Sequence, residues 1–223
     1  MAKRRGKARG RSRSGPIVAA AIAIGTTVFV AAAILLLRAD DPAGGSDAAS
    51  YAAPVRGNAD APVTIDEYGD FQCPSCGAFA RSVEAELVRR YIETGRAKLV
   101  FHHFPWIGPE SKRAAEAASC AGAQGSFWSY HDLLYANQHG ENSGFLSSDN
   151  LKRFASQLGL DRAAFDRCLD LGSYRAAVEA DFQTGLRLGL NSTPTFIVNG
   201  QRIVGAQPLA VFAAVIDAKT AGR

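Results

Sequence analysis

Cys73 and Cys76 are separated by Pro74 and Ser75, and this pair is the part of the chain best suited to chemistry. Two thiols so placed at the start of a helix exchange electrons by cycling between dithiol and disulfide. The surroundings divide the labour between them. Phe79, Val83, Leu87 and Tyr91 recur at helical spacing, and Cys76 falls on the same apolar stripe, so its sulfur is expected to be shielded. Cys73 stands just ahead of the first turn, with Pro74 at the first helical position, where a missing N–H costs nothing. There it faces free backbone N–H groups and the positive end of the helix dipole, which favour thiolate over thiol. Cys73 is therefore the expected attacking sulfur and Cys76 the buried resolving one.

The elements that must hold this pair lie on either side of it. Residues 63–68 read as a strand leading into the motif, 74–94 as the helix leading out, ended by Gly95, and 97–104 as a second strand stopped by Pro105. From 111 to 188 almost everything reads helical: an Ala-rich stretch at 112–124, then 127–137, a helix capped by Ser148 and running to Leu158, a short one capped by Asp161, and a longer one from Ser173. Strand pattern returns at 195–198, Asn199-Gly200 is a two-residue hairpin signal, and 201–204 pairs back. Pro208 opens a final helix with Leu209, Phe212, Ala213 and Ile216 on one face. The order predicts an α/β domain over 57–223: a small mixed sheet with helices on its faces and an all-helical insertion at about 106–188.

What precedes the domain bears on where it works. The chain of 223 residues carries a net charge of +4, yet residues 1–16 hold seven basic residues and no acid. Removing those seven leaves about −3 for the rest, which argues against a nucleic-acid partner. Residues 17–37 are free of charge and rich in Ala, Ile, Val and Leu. At 1.5 Å per residue they reach across the roughly 30 Å hydrocarbon core of a bilayer. Basic residues before them, with Asp40 and Asp41 after, predict a cytoplasmic tail (1–16), a transmembrane anchor (17–37) and a catalytic part outside. A cleaved signal peptide is the alternative, and its apolar core is shorter than this one. Residues 38–56, rich in Ala, Gly, Asp and Ser, read as a flexible linker. Either way the thiols work where disulfides persist.

The chain resembles the DsbA-like thiol–disulfide oxidoreductases of the thioredoxin superfamily, in their membrane-anchored form. The features that carry the resemblance are Ala61-Pro62-Val63, Asp70-Phe71-Gln72-Cys73-Pro74-Ser75-Cys76, Gly125-Ser126-Phe127-Trp128, and Thr193-Pro194-Thr195-Phe196 ahead of Asn199-Gly200. The resemblance implies that Pro194 is a cis-proline packed against the Cys73–Cys76 pair and leaves the backbone of Thr193 free to pair with an extended substrate beside Pro74 and Ser75. It implies a buried acid beneath the motif, placed at Glu67, with Asp66 and Asp70 as alternatives. It also implies a structural disulfide between Cys120 and Cys168, two free thiols being the other possibility. One departure stands out: a well-known oxidase of the family has histidine where this chain has Ser75, and a hydroxyl brings no positive charge to the thiolate.

The activity so implied is oxidation of protein thiols, with unfolded or reduced exported proteins as substrates. No bound cofactor is needed. A quinone-linked membrane protein of the DsbB or vitamin K epoxide reductase type is the implied reoxidant. A reductase or isomerase running the same exchange is the first alternative. A copper(I) carrier is the second, although Met1 is the only methionine. No metal site is expected, since the cysteines lack a second close pair and His102 and His103 fall on opposite faces of a strand.

Overall fold

The computed structural model describes residues 51–221. Strands β1 (Val55–Arg56), β2 (Val63–Gly69), β3 (Ala97–His103), β4 (Thr195–Val198) and β5 (Gln201–Val204) form one sheet in the order β1-β3-β2-β4-β5. β2 and β3 are parallel, and every other pair is antiparallel. A parallel pair needs a crossover, and helix α1 (74–92) supplies it. Alternation along β2 turns Val63, Ile65 and Glu67 to one face, all buried, and Tyr68 to the other. The β4–β5 hairpin turns at Asn199 and Gly200, with φ of 42° and 87°, the pair of positive values a type I′ turn demands. Asn199 also pins the turn to the start of β2: its Oδ1 accepts from the Thr64 N–H at 2.8 Å and its Nδ2 donates to the Pro62 carbonyl at 3.1 Å.

Between β3 and β4 lies the helical insertion: α2 (Pro109–Gly122), α3 (Phe127–Ala136), α4 (Ser148–Gln157), α5 (Arg162–Leu171) and α6 (Arg175–Arg187). The small side chains of Ala114, Ala117, Ala118 and Ala121 put α2 at its centre, where bulkier residues from the other helices close on it. Cys120 of α2 and Cys168 of α5 form a disulfide, with Cα atoms 5.9 Å apart. One core cluster joins Phe71, Cys76 and Phe101 to Tyr130, Leu134 and Phe165 of the insertion. A second packs Val63, Ile65, Phe79 and Phe196 against Phe212 and Ile216 of α7 (Leu209–Ala221). Cys73 and Cys76 belong to the first cluster, and Phe79 on the same helix belongs to the second.

Three local features depart from the sequence reading. Val55 and Arg56, assigned there to the linker, pair with Val100 and Leu99 as strand β1. The helix after the motif is not uniformly α: Pro74–Phe79 and Ala85–Leu87 are α, whereas Ala80–Glu84 and Val88–Ile92 are π. A π turn links residues five apart, so the inward position after Phe79 is Glu84. Glu84 is accordingly buried and Val83 only half-buried. Finally, α4 is capped at Ser147 rather than Ser148, whose hydroxyl instead accepts from Arg113 Nε at 3.0 Å. Asp161 does cap α5, accepting from the Ala164 N–H at 3.0 Å. The tail, anchor and most of the linker (1–50) lie outside the described residues, among which no helix is long and apolar enough to cross a membrane.

Candidate active site

The two cysteines are set apart by the turn that carries them. Cys73 is the N-cap of α1, with extended φ/ψ of −67° and 119°, and Pro74 opens the helix. Its N–H donates to the Asp70 carbonyl at 3.0 Å, and its own carbonyl accepts from Gly77 at 3.1 Å. Asp70 braces the approach: its carboxylate accepts from the N–H groups of Gln72 at 2.8 Å and Ile107 at 2.9 Å. Gln138, at the end of α3, donates to the carbonyls of Phe71 at 3.0 Å and Cys73 at 2.8 Å. Gly77 lies beside it, where a Cβ would displace the Gln138 carboxamide and the Arg81 guanidinium. Sequence reasoning had no signal for Gln138, a loop residue 65 positions from the cysteine whose carbonyl it holds.

Pro74 and Ser75 are exposed, Cys73 is 6% exposed, and Cys76 is wholly buried. Both are thiols in this structure. Across from them the Thr193–Pro194 peptide bond is cis, and the Thr193 carbonyl oxygen lies 3.3 Å from Cys73 Sγ. Thr193 is half-buried and Pro194 buried. The site residues singled out in the sequence therefore converge, apart from Cys120 and Cys168, which sit in the insertion.

Environment separates the two sulfurs chemically. A hydrogen bond from the Cys76 thiol does most to bring Cys73 down from 9.0 to about 6; burial opposes it, and Thr193, the Cys76 N–H and the Ser75 hydroxyl assist. The helix terminus contributes its N–H at Cys76, and the partner thiol is the largest of these hydrogen-bond contributions. Cys76 moves the other way, held well above 9.0 first by burial and then by Cys73. At neutral pH the site holds a thiolate at Cys73 and a thiol at Cys76, the combination that lets one sulfur attack while the other stays in reserve.

Beneath the pair, Glu67 is fully buried, and burial, then the nearby Glu84, push its carboxyl well above the usual carboxylate range. Of the two alternatives, Asp66 faces the other side of the sheet and pairs with His102 at 2.9 Å, and Asp70 is engaged by backbone N–H groups. Glu84 and Arg56 act on Glu67, and with His131 and Asp132 they make a cluster of four residues that the sequence did not single out. Arg56 ion-pairs with Glu84 at 2.9 Å and with Asp132 at 3.1 Å, and His131 Nδ1 lies 2.8 Å from Asp132. Glu84, His131 and Asp132 bring ligand-type atoms within 4.8 Å of one another. The Arg56 guanidinium already supplies the positive charge there.

Comparison with known proteins agrees with this geometry. The model of the family described as Thioredoxin matches residues 50–218. A Bacillus cereus protein named Probable disulfide bond formation protein D is 31% identical over 148 residues, 65% of this chain and 68% of that protein. The Na(+)/H(+) antiporter NhaA 1 of Salinispora arenicola is 39% identical over 173 residues, 75% of this chain. The chain spans about a quarter of the length of that relative, 25%. Among solved structures, oxidised BdbD from Bacillus subtilis superposes with a TM-score of 0.71 at 26% identity, covering 75% of this chain and 92% of that one. Alpha-DsbA1 from Wolbachia pipientis gives 0.68 at 25% identity, covering 75% and 90%.

Proposed function

The chain belongs to the thioredoxin superfamily, among its DsbA-like thiol–disulfide oxidoreductases, and on that premise we propose that it is a disulfide oxidase tethered to the outer face of the cell membrane. The observation that carries the direction is the opposed tuning of the two sulfurs. A thiolate favoured at Cys73 stabilises the reduced enzyme, and a stable reduced form makes the disulfide form oxidising.

In the reaction we propose, a substrate thiolate attacks Cys73 Sγ of the Cys73–Cys76 disulfide. The bond between the cysteines breaks, a mixed disulfide forms at Cys73, and Cys76 leaves as a thiolate that takes up a proton. Glu67 is the acid assigned to supply it, since burial and then Glu84 favour its protonated form. A second substrate thiolate then attacks the substrate sulfur and releases Cys73, leaving an oxidised substrate and a reduced enzyme. Thr193 and Pro194, with the exposed Pro74 and Ser75, are the surface on which an extended peptide reaches the sulfur. The clients are reduced proteins exported across the membrane. A quinone-linked membrane protein restores the disulfide, and the anchor at 17–37 keeps the domain near it.

Ser75 favours a second reading. It places a hydroxyl, not a cation, beside Cys73, which suits a reductase or isomerase poised at lower potential. The reduction potential of the full chain in glutathione buffers decides between them. A value near about −120 mV supports the oxidase, and one near about −270 mV removes it in favour of the reductase.

A further inference from the structure

The sheet face beneath Cys76 carries more ionisable groups than thiol exchange alone employs. Neither Glu67 carboxyl oxygen has a hydrogen-bond partner among the described residues. Phe101 is its partner across β2 and β3, so the two side chains share a face. On that face the His131 ring stands edge-on to Phe101, with centroids 5.2 Å apart. His131 Nδ1 is bonded to Asp132, while its Nε2 is buried and unpartnered, as is Trp128 Nε1 beside it. Buried polar atoms without a protein partner are satisfied by water. The groups facing Glu84 come from every element packed against it: Arg56 of β1, Glu67 of β2, and His131 and Asp132 of α3. Cys76 is wholly buried, whereas the Asp132 side chain is 59% exposed. The cluster thus reaches open solvent at Asp132, and at its other end Glu67 acts electrostatically on Cys76.

We propose that Glu84 and the His131–Asp132 pair form the proton route that joins Glu67 to solvent, acting through Glu67 and never on sulfur. The inference rests on the oxidoreductase reading above and supplies what it leaves open. A polypeptide seated over Cys73 covers the mouth of the site, so the proton that Cys76 needs must arrive from behind. When the Cys73–Cys76 bond opens, Cys76 departs with the electron pair and accepts the Glu67 proton across water. The Glu67 carboxylate is then reprotonated from the Glu84–His131 cluster, and Asp132 returns the cluster to solvent equilibrium. One proton enters for each disulfide opened and leaves by the same path when it is remade. Burial raises both Glu67 and Glu84, and Glu84 raises Glu67 further, so the two carboxyls resist ionising together and a proton is retained between them.

The test uses the full chain in mild detergent, oxidised and then mixed with excess reduced cysteine peptide, with the exchange rate followed from pH 5 to pH 9. We expect Glu84→Gln to slow exchange about tenfold and to move the alkaline fall in rate to lower pH, because Glu67 loses its acidic neighbour. Asp132→Asn, at a side chain that is 59% exposed, should slow exchange in the same pH range. In a Glu67→Gln background neither change should slow it further. A pH profile identical to wild type in both variants overturns the route, as does an undiminished effect in the Glu67→Gln background. A wild-type chain that exchanges no thiols at any pH removes the oxidoreductase reading itself, a distinct result.

Discussion

The Cys73 sulfur and the Thr193 carbonyl oxygen, 120 positions apart in the chain, lie 3.3 Å from each other. The contact joins the start of α1 to the loop before β4, so the sulfur and the backbone ahead of the cis-proline lie side by side. It also changes with protonation. A Cys73 thiol donates to that carbonyl; a thiolate has nothing to donate and is held instead by the Cys76 thiol and, to a lesser degree, by Thr193, the Cys76 N–H and Ser75.

This exchange of partners makes the stability of the reduced protein depend on pH. Cys73 has a folded pKa of about 6 against 9.0 for an ordinary thiol. A depressed pKa contributes stability that is fully present above the unfolded value and is lost as pH falls through the folded one. The disulfide form has no such term. Thermal unfolding of the two forms should therefore show the reduced protein gaining on the oxidised one as pH rises from 6 to 9. A gap that stayed constant across that range would contradict a stabilised thiolate.

Ser75 is exposed and its hydroxyl is the last of the groups that lower Cys73. Ser75→Ala should raise the thiolate pKa by less than about one pH unit, the scale of a single solvent-exposed hydrogen bond to a charge. Ser75→His should act in the opposite direction and more strongly, because an imidazolium adds charge as well as a donor. The ultraviolet absorbance of the thiolate gives the pKa, and glutathione equilibration should show the potential rising as the pKa falls. A change in pKa with no change in potential would separate the two quantities and defeat the link.

The part of this site that could be read from sequence is the part built on local spacing. Cys73 at the helix entrance, Cys76 on the buried stripe, Glu67 on the face of Val63 and Ile65, and the Asn199-Gly200 hairpin each follow from periods of 2 or 3.6 residues or from turn chemistry. What could not be read depends on long-range packing. The π turn that carries Glu84 inward breaks the period just where the pattern pointed to Val83. Arg56 looked like linker because a two-residue strand is too short to show alternation. Its value lies in reaching Glu84, 28 positions away, and Asp132, 76 positions away. The His131 ring packs against Phe101 and Tyr135, and only its neighbours give it a second role.

Arg56 ion-pairs at 2.9 Å with Glu84, which is 2% exposed, and its guanidinium also lies 4.3 Å from the centre of the Trp128 ring. Removing one member of a buried ion pair leaves the other uncompensated, which typically costs 3–5 kcal/mol. His131 is near enough to offset part of that, so Arg56→Met should lower stability by about 3 kcal/mol at pH 7. The loss should shrink as pH falls. Glu84 has a raised carboxyl pKa even beside Arg56, and once protonated it no longer needs a cation. Denaturant unfolding at pH 7 and pH 4 measures both values, and equal losses at the two pH values would show that the effect is packing on Trp128 alone.

The Cys120–Cys168 disulfide acts on a different part of the protein. It joins α2 to α5 across a sequence separation of 48, entirely within the helical insertion. Cross-linking a loop of that length removes unfolded-state entropy worth about 4 kcal/mol in the chain-entropy treatment. Cys120 packs among Ala117, Ala121 and the aromatic residues of the insertion, so alanine at both positions leaves a small void in addition. The Cys120→Ala/Cys168→Ala double variant should therefore unfold at markedly lower denaturant concentration. The thiolate pKa and reduction potential of the Cys73–Cys76 pair should stay at their wild-type values, because no group that lowers Cys73 belongs to α2 or α5. A shift in potential accompanying the loss of stability would mean that the insertion helps to tune the site.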